Sequence, residues 1–346
     1  MSNFVERIRL QQHKIHEETL VAVIKDGHLA VGPHMEKLEQ ELRDRFNQKH
    51  VVLTTNGFSA LCGTLLALKN NRHSLKVSTT AAGTCFAMVN AIKAAGYCPE
   101  FFDLDSQSAG IHDGAFSEND SLIIAPDHFG RISSGLRKTK SNDTFIIEDA
   151  AQSFFSREKV DTCADVVTLS FYPTKWVNGV DGGAILLDDD DLASLLRRRV
   201  SYADQTRHES TGRHNFSMSN LHAAMALASL ELSQSLIKVL RKSFKRLRGS
   251  VEALGIEVLT LDSEEIPTRF IVKADSLETR DRHVKELNNL GIGASKELFF
   301  LCPESQQSDF PEAKKLIDNS YSLPFHPWLG LDDIEKIENA MGEVCN

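Results

Sequence analysis

The sequence predicts an α/β protein: a large domain built on a mostly parallel central sheet, followed by a smaller C-terminal α/β domain. Three observations carry this. Short apolar runs recur between residues 51 and 187, the early ones separated by helix-patterned segments. Polar and small residues stand at the carboxyl ends of several of those runs, where ligands collect in open α/β sheets. From about residue 219 the texture changes to almost unbroken helix pattern. A chain of 346 residues is long enough for two such cores.

Residues 34–47 space Met35, Leu38, Leu42 and Phe46 at helical intervals with charges between them, so the first strong helix falls there. Val51–Leu53 is a short buried strand, Thr54–Gly57 a turn, and Ser59–Leu68 a helix rich in Ala and Leu. Leu75–Ser78 is strand-like. Thr84–Ala94 is helical, and Gly96 stands where a helix C-terminus favours glycine. Pro99–Phe102 is a strand stopped by Asp103 and Asp105; Leu122–Ala125, Phe145–Ile147, Val166–Ser170 and Ala184–Leu187 complete the set. Asp188–Asp191 precede a helix over Leu192–Val200 and suit its positive N-terminal end. Arg197–Arg199 read as a solvated face.

Asn220–Leu254 reads as two helices broken near 234. Strands at Val258–Leu259 and Phe270–Val272, a helix at Arg280–Leu290 and a closing helix at Asp332–Met341 form the second layer. The expected domains are 1–235 and 236–346, joined by a long helix, with the N-terminal helix free to pack on the smaller one.

Composition excludes several classes. The net charge of −9 argues against a broad nucleic-acid footprint. No apolar run has the length of a membrane helix. The N-terminus carries charges where a secretion signal needs an apolar core, which points to the cytoplasm. Six cysteines at irregular spacing, with no Cys-x-x-Cys pair, read as reduced thiols rather than disulfides or zinc ligands. His13 and His16 lack a third ligand at a telling distance, so no metal site is expected.

The chemistry concentrates in Ser170-Phe171-Tyr172-Pro173-Thr174-Lys175, with Glu148-Asp149-Ala150-Ala151-Gln152 before it and Gly182-Gly183 after it. Together they offer what a pyridoxal 5'-phosphate site needs. Lys175, flanked by apolar and aromatic residues, offers an amine desolvated enough to meet an aldehyde. Asp149, at the end of an apolar strand, offers a carboxylate for the pyridine nitrogen. Gln152, on the same face if Ala150 onward is helical, offers a donor to the phenolic oxygen. Gly57 at a strand-turn-helix entry and the Ser170 hydroxyl offer a phosphate cradle, and Gly182-Gly183 permit close backbone approach. A strand-end aspartate that merely caps the next turn, or a structural lysine, is the plainer account of each residue alone.

These residues resemble the DegT/DnrJ/StrS-type PLP-dependent sugar aminotransferases, of aspartate aminotransferase-like fold type I. The likeness runs from Gly32-Pro33 to Leu323-Pro324-Phe325-His326-Pro327. Thr55-Asn56-Gly57-Phe58-Ser59-Ala60-Leu61 is similar to the family's phosphate turn. Asp127-His128-Phe129-Gly130 is similar to its His-Leu-Tyr-Gly segment, Glu148–Gln152 to its Glu-Asp-Ala-Ala-Gln, and Ser170-Phe171 with Lys175 to its Ser-Phe-x-x-x-Lys. Asn215-Phe216-Ser217-Met218 is similar to its Asn-Tyr-Arg-Met.

The resemblance implies that Lys175 carries the cofactor and serves as general acid and base. It implies that Asp149 holds the ring nitrogen, Gln152 the phenolic oxygen, and the Gly57–Phe58 backbone with Ser170 the phosphate. Asn215 would reach the phosphate of a neighbouring subunit, the sites being shared across a homodimer. The implied reaction transfers an amino group from glutamate or glutamine to a keto-sugar, nucleotide-linked, in amino-sugar biosynthesis. A non-sugar ketone, or a non-enzymatic ligand-binding or regulatory role, is the alternative. Departures are Phe58 for the usual Thr, Cys85 where the family places a ring over the pyridine, Ser217 for a frequent Arg, and no His-Gly pair in 201–214. Phe86 does not simply replace the missing ring, since one helical step rotates a side chain by about 100°.

Overall fold

In a computed structural model, residues 8–9, 16–71, 77–111, 121–133, 144–158, 160–201, 213–259 and 261–345 are described. Helices α1 (Glu17–Asp26) and α2 (Pro33–Phe46) lead into β1 (His50–Thr54), α3 (Gly57–Asn71), β2 (Val77–Ala81), β3 (Gly83–Thr84), α4 (Phe86–Ala94) and β4 (Cys98–Phe102). Then come β5 (Leu122–Pro126), β6 (Phe145–Asp149), α5 (Phe154–Arg157), β7 (Val166–Ser170), β8 (Gly183–Leu187) and α6 (Asp190–Val200). The last third holds α7 (Asn220–Glu231), α8 (Ser233–Glu252), β9 (Phe270–Lys273), α9 (Leu277–Asn289), β10 (Phe300–Leu301), α10 (Pro311–Asp318), β11 (Ser320–Leu323) and α11 (Leu331–Cys345).

The central sheet has seven strands in the order β1-β8-β7-β6-β5-β2-β4. From β7 to β4 the pairing is parallel. β8 runs antiparallel to both β1 and β7. Side chains alternate between two cores, as the period of a strand requires. Val51, Leu53, Val167, Leu169, Ala184 and Leu186 pack on one face with Leu38 and Leu42 of α2 and Ala223 and Leu230 of α7. Val52, Val166, Ile185 and Leu187 pack on the other with Leu61 and Leu65 of α3, Ile92 of α4 and Leu196 of α6. A sheet wetted on neither face explains strands that read as unbroken apolar runs. At one edge, β4 pairs only with β2 and carries Pro99 and the exposed Glu100.

The second layer pairs β9 with β11, Phe270 opposite Leu323, over α8, α9 and α11. The helix break falls at Leu232, close to its expected place, and α8 is the longer of the two helices. α1 packs against α7, whereas Ile8 exchanges hydrogen bonds with Gly291 and Gly293, 2.9 Å each.

Other expectations shift. Thr84 is in β3 rather than a helix, because Gly83–Thr84 pairs with Phe300–Leu301. Val258 makes only an isolated bridge to Val272, so Val258–Leu259 is not a full strand. Leu75 and Lys76 lie outside the described residues, as do His13 and most of 201–214. Arg199 is buried and donates to the Leu66 carbonyl, so the arginine run is not one solvated face. Gly96 does end α4 in a left-handed conformation, φ 76°, and the Asp189 side chain caps α6 by accepting from Leu192 N at 2.8 Å.

Candidate active site

The carboxyl ends of β6 and β7, the first turn of α3 and the start of α4 surround a cavity of about 580 Å³. Lys175, Asp149, Gln152, Ser170, Gly57, Phe58 and Cys85 all line it. Asn215 does not; it is exposed beside Phe216, whose carbonyl accepts from Thr55 N at 2.7 Å.

Asp149 is the last residue of β6. Its Oδ1 accepts from Ala151 N at 3.1 Å, which fixes the carboxylate at the strand end. Burial raises its pKa, opposed by that hydrogen bond and by the charge of Lys175. The strand end is held from beneath by a buried ion pair, Arg157 Nε to Glu148 Oε2 at 2.9 Å, with Thr162 Oγ1 on the same oxygen at 2.8 Å. Gln152 lies in a turn before α5, not on a helix. It still reaches the cavity, because Phe129 N donates to its Oε1 at 3.3 Å. Its NH2 has no protein acceptor among the described residues and is free to donate into the cavity.

The turn into α3 is capped by Asn56, whose Oδ1 accepts from Ser59 N at 2.9 Å. The N–H groups of a first helical turn, Gly57 and Phe58 here, have no intrahelical acceptor and favour an anion. Two glycines bring this turn against the sheet. A Cβ on Gly183 would stand 2.5 Å from the Asn56 backbone, and one on Gly57 would stand 2.9 Å from Ser170 Cβ. Glycine at these points is a condition of the cradle.

Lys175 sits on a loop closed at its base by Phe171, whose N–H donates to Gly182 O (2.8 Å) and whose carbonyl accepts from Gly179 N (2.9 Å). Behind it, Ser229 Oγ of α7 accepts from Asn178 N and donates to Trp176 O, locking the loop. Burial lowers the Lys175 pKa, while the charge of Asp149 opposes the shift. Desolvation therefore favours the free amine, the form that attacks a carbonyl.

Cys85 is an exposed thiol at the N-cap of α4. Phe86 is 55% exposed and turned to the mouth of the cavity, its ring 3.9 Å from that of Phe300. Phe86 thus borders the cavity one helical step from Cys85. Ser217 donates to the Val200 carbonyl and does not line the cavity.

Asp127, His128 and Arg269 are among the lining residues that had no assigned role in the sequence. Asp127 is buried and accepts from Ser153 Oγ at 2.5 Å and Ser133 N at 2.8 Å; burial and the neighbouring Glu148 charge push its pKa well up. His128 is buried with its pKa pushed down to about 4 by desolvation. Arg269 comes from the second layer, just ahead of β9, and no local pattern marks it.

These residues fit pyridoxal 5'-phosphate. The cradle exists only because Gly57 and Gly183 lack side chains, an unpaired amide faces the space, and a desolvated amine shares it with a strand-end carboxylate.

Relatives agree. The chain is 24% identical over 365 residues to the UDP-2-acetamido-2-deoxy-3-oxo-D-glucuronate aminotransferase of Pseudomonas aeruginosa, covering 99% of each chain. It is 28% identical to the GDP-perosamine synthase of Escherichia coli O157:H7, over 75% of this chain and 73% of that one. Among solved structures, the fold matches NtdA from Bacillus subtilis with bound cofactor PMP at a TM-score of 0.83 and 22% identity, covering 95% of this chain and 81% of that one. The profile of one family spans residues 11–342, nearly the whole chain: the protein belongs to the DegT/DnrJ/EryC1/StrS aminotransferase family.

Proposed function

We propose that the protein is a pyridoxal phosphate-dependent aminotransferase that moves an amino group from glutamate or glutamine to a nucleotide-linked keto-sugar, in amino-sugar biosynthesis. The observation that carries this is the meeting of Lys175, Asp149 and the Gly57–Ser170 cradle in one cavity. The relatives named for GDP- and UDP-linked sugars support the acceptor class.

When bound, pyridoxal phosphate supplies an aldehyde carbon and a ring that draws electrons from a substrate carbon. The chain's residues do the rest. Asp149, oriented by Ala151 N, keeps the ring nitrogen protonated. Gln152 donates its free amide N–H to the phenolic oxygen. The first turn of α3 and the Ser170 hydroxyl hold the phosphate. Lys175 Nζ, its pKa lowered by desolvation, takes and returns the proton at the reacting carbon.

We place the enzyme in the cytoplasm and infer a homodimer in which Asn215 of one protomer serves the phosphate of the other. Six free thiols accord with a reducing compartment. Asn215 is exposed and does not line its own cavity, and Val21, Ile24, Leu29 and Val31 are exposed apolar side chains in and just after α1. Among the described residues, no single helix is long and apolar enough to cross a membrane.

Mass spectrometry of products after incubation with glutamate and a panel of nucleotide-linked keto-sugars tests the proposal. An aminated sugar with stoichiometric 2-oxoglutarate is the expected result. A coloured protein that no amino donor converts would overturn it.

A further inference from the structure

The segment Asp149–Ser153 carries two side chains aimed at the cavity, the Asp149 carboxylate and the Gln152 amide, and past the end of β6 it is a turn. A turn has no ladder of its own to fix its side chains, so neighbouring structure must do it. The loop that follows β5 does so at three points. Asp127 N donates to the Asp149 carbonyl at 3.0 Å. The Asp127 carboxylate accepts from Ser153 Oγ at 2.5 Å. Phe129 N donates to Gln152 Oε1 at 3.3 Å. Asp127 therefore grips the first and last residues of the segment, one through its backbone and the other through its side chain.

The grip is dry and braced. Asp127 and Ser153 are 2% and 1% exposed, so water does not compete for their bond. The other carboxylate oxygen of Asp127 accepts from Ser133 N at 2.8 Å, and Ser133 Oγ donates to Pro126 O at 3.0 Å, which fixes the plane of the carboxyl group. Phe129 stands in the left-handed region, φ 57°, where a side chain of its size is uncommon. It is held there by Thr268 N on its carbonyl at 2.9 Å and by stacking on Phe299, with ring centroids 5.7 Å apart. Such a conformation persists only where the surroundings over-determine it. A carboxyl buried beside the charge of Glu148 costs stability that an apolar residue would not. Its bonds to Ser153 and Ser133 offset that cost and hold the turn in place.

We propose that Asp127 is a positioning residue for the cofactor ring: through Ser153 it holds the turn that aims Gln152 at the phenolic oxygen and Asp149 at the ring nitrogen. The inference rests on the pyridoxal phosphate reading and adds to it a residue that acts through others. Of the three contacts, the one to Gln152 is the longest, so a loosened turn is felt there first.

The test uses the full chain with and without cofactor. A donor on the phenolic oxygen stabilises its anion, and so lowers the pH at which the cofactor band near ~410 nm is lost. D127A should raise that midpoint by about 0.5–1 pH unit, as Q152A does, and D127A/Q152A should move it no further than Q152A alone. D127N keeps an acceptor for Ser133 N and an N–H for Ser153 Oγ, and burial beside Glu148 already presses the carboxyl towards its neutral form, so its midpoint should match the wild type. In the cofactor-free protein, hydrogen exchange of the Ala151–Ser153 amides should quicken by about 10-fold in D127A and not in D127N. A denaturant midpoint separates lost stability from lost aim, since a mere core defect lowers it without moving the spectral midpoint. An unmoved spectral midpoint in D127A, or D127A and Q152A shifts that add, would overturn the proposal. A wild type that takes up no coloured cofactor would instead remove the pyridoxal phosphate reading beneath it. If D127A does not fold, S153A cuts the same bond from the other side and carries the same comparison.

Discussion

Gly57 and Ser170 touch: the Cβ that Gly57 lacks would stand 2.9 Å from the Cβ of Ser170 and 3.2 Å from its hydroxyl oxygen. One residue opens α3 and the other ends β7, more than a hundred positions later in the chain. Their contact joins a helix N-terminus to a hydroxyl at a single anion-sized place.

Gly57→Ala pushes the turn off the strand end. Cofactor affinity should fall by about 10-fold or more, while the stability of the cofactor-free protein changes by only about 1–2 kcal/mol. Absorbance titration with pyridoxal phosphate reads the first and a denaturant midpoint the second. Unchanged affinity would remove Gly57 from the cradle.

Lys175→Arg keeps a cation but cannot carry the aldehyde. Borohydride reduction of the holoprotein followed by peptide mapping should label position 175 in the wild type and nothing in the variant. Asp149→Asn should retain the label and lose catalysis by about 100-fold or more, because the ring nitrogen then lacks the carboxylate that keeps it protonated.

His128 sets a pH dependence. Its pKa is lowered from 6.5 to about 4 by burial, so the unfolded chain binds the proton first. The neutral side chain's contribution is complete above pH ~6.5 and is lost as pH falls towards 4, on the order of 3 kcal/mol in all. Asp127, raised by burial, works in the opposite sense, stabilising below its folded pKa. The difference between wild type and His128→Gln isolates the histidine. It should shrink as pH drops through that window, measured by denaturation at each pH. A difference flat with pH contradicts it.

Arg157→Met leaves Glu148 charged, buried and without its partner, next to Asp127. A loss of about 3–5 kcal/mol is expected, recovered in part by adding Glu148→Gln. Denaturant midpoints of the two single variants and the double variant measure this.

Cys85 and Cys98 are the exposed thiols. Both should react quickly with N-ethylmaleimide in the cofactor-free protein, and cofactor should shield Cys85 alone. Peptide mapping distinguishes them; equal labelling of Cys85 with and without cofactor would place the ring elsewhere.

The central sheet and most of the site were legible because they are local. Asp149 and Ser170 end apolar strands, and Gly57 sits in a turn beside a capping Asn56, so short windows reveal them. Arg269 was not legible, since the segment before it is held at the cavity by contacts of Ile266, Pro267 and Thr268 with Ser156, Trp176 and Phe129, each more than ninety residues from Arg269 in the chain. The pairing that makes Thr84 a strand is of the same kind: its partner, Phe300, lies in the other layer. Gln152 lines the cavity from a turn held by the Phe129 amide and not from the helix that the sequence suggested.

Pro99 and Glu100 make β4 an unsuitable rail for a further strand: one lacks the N–H a ladder needs, and the other would bring charge into the join. Growth of the sheet from one molecule to the next is closed there, which protects against fibrous stacking.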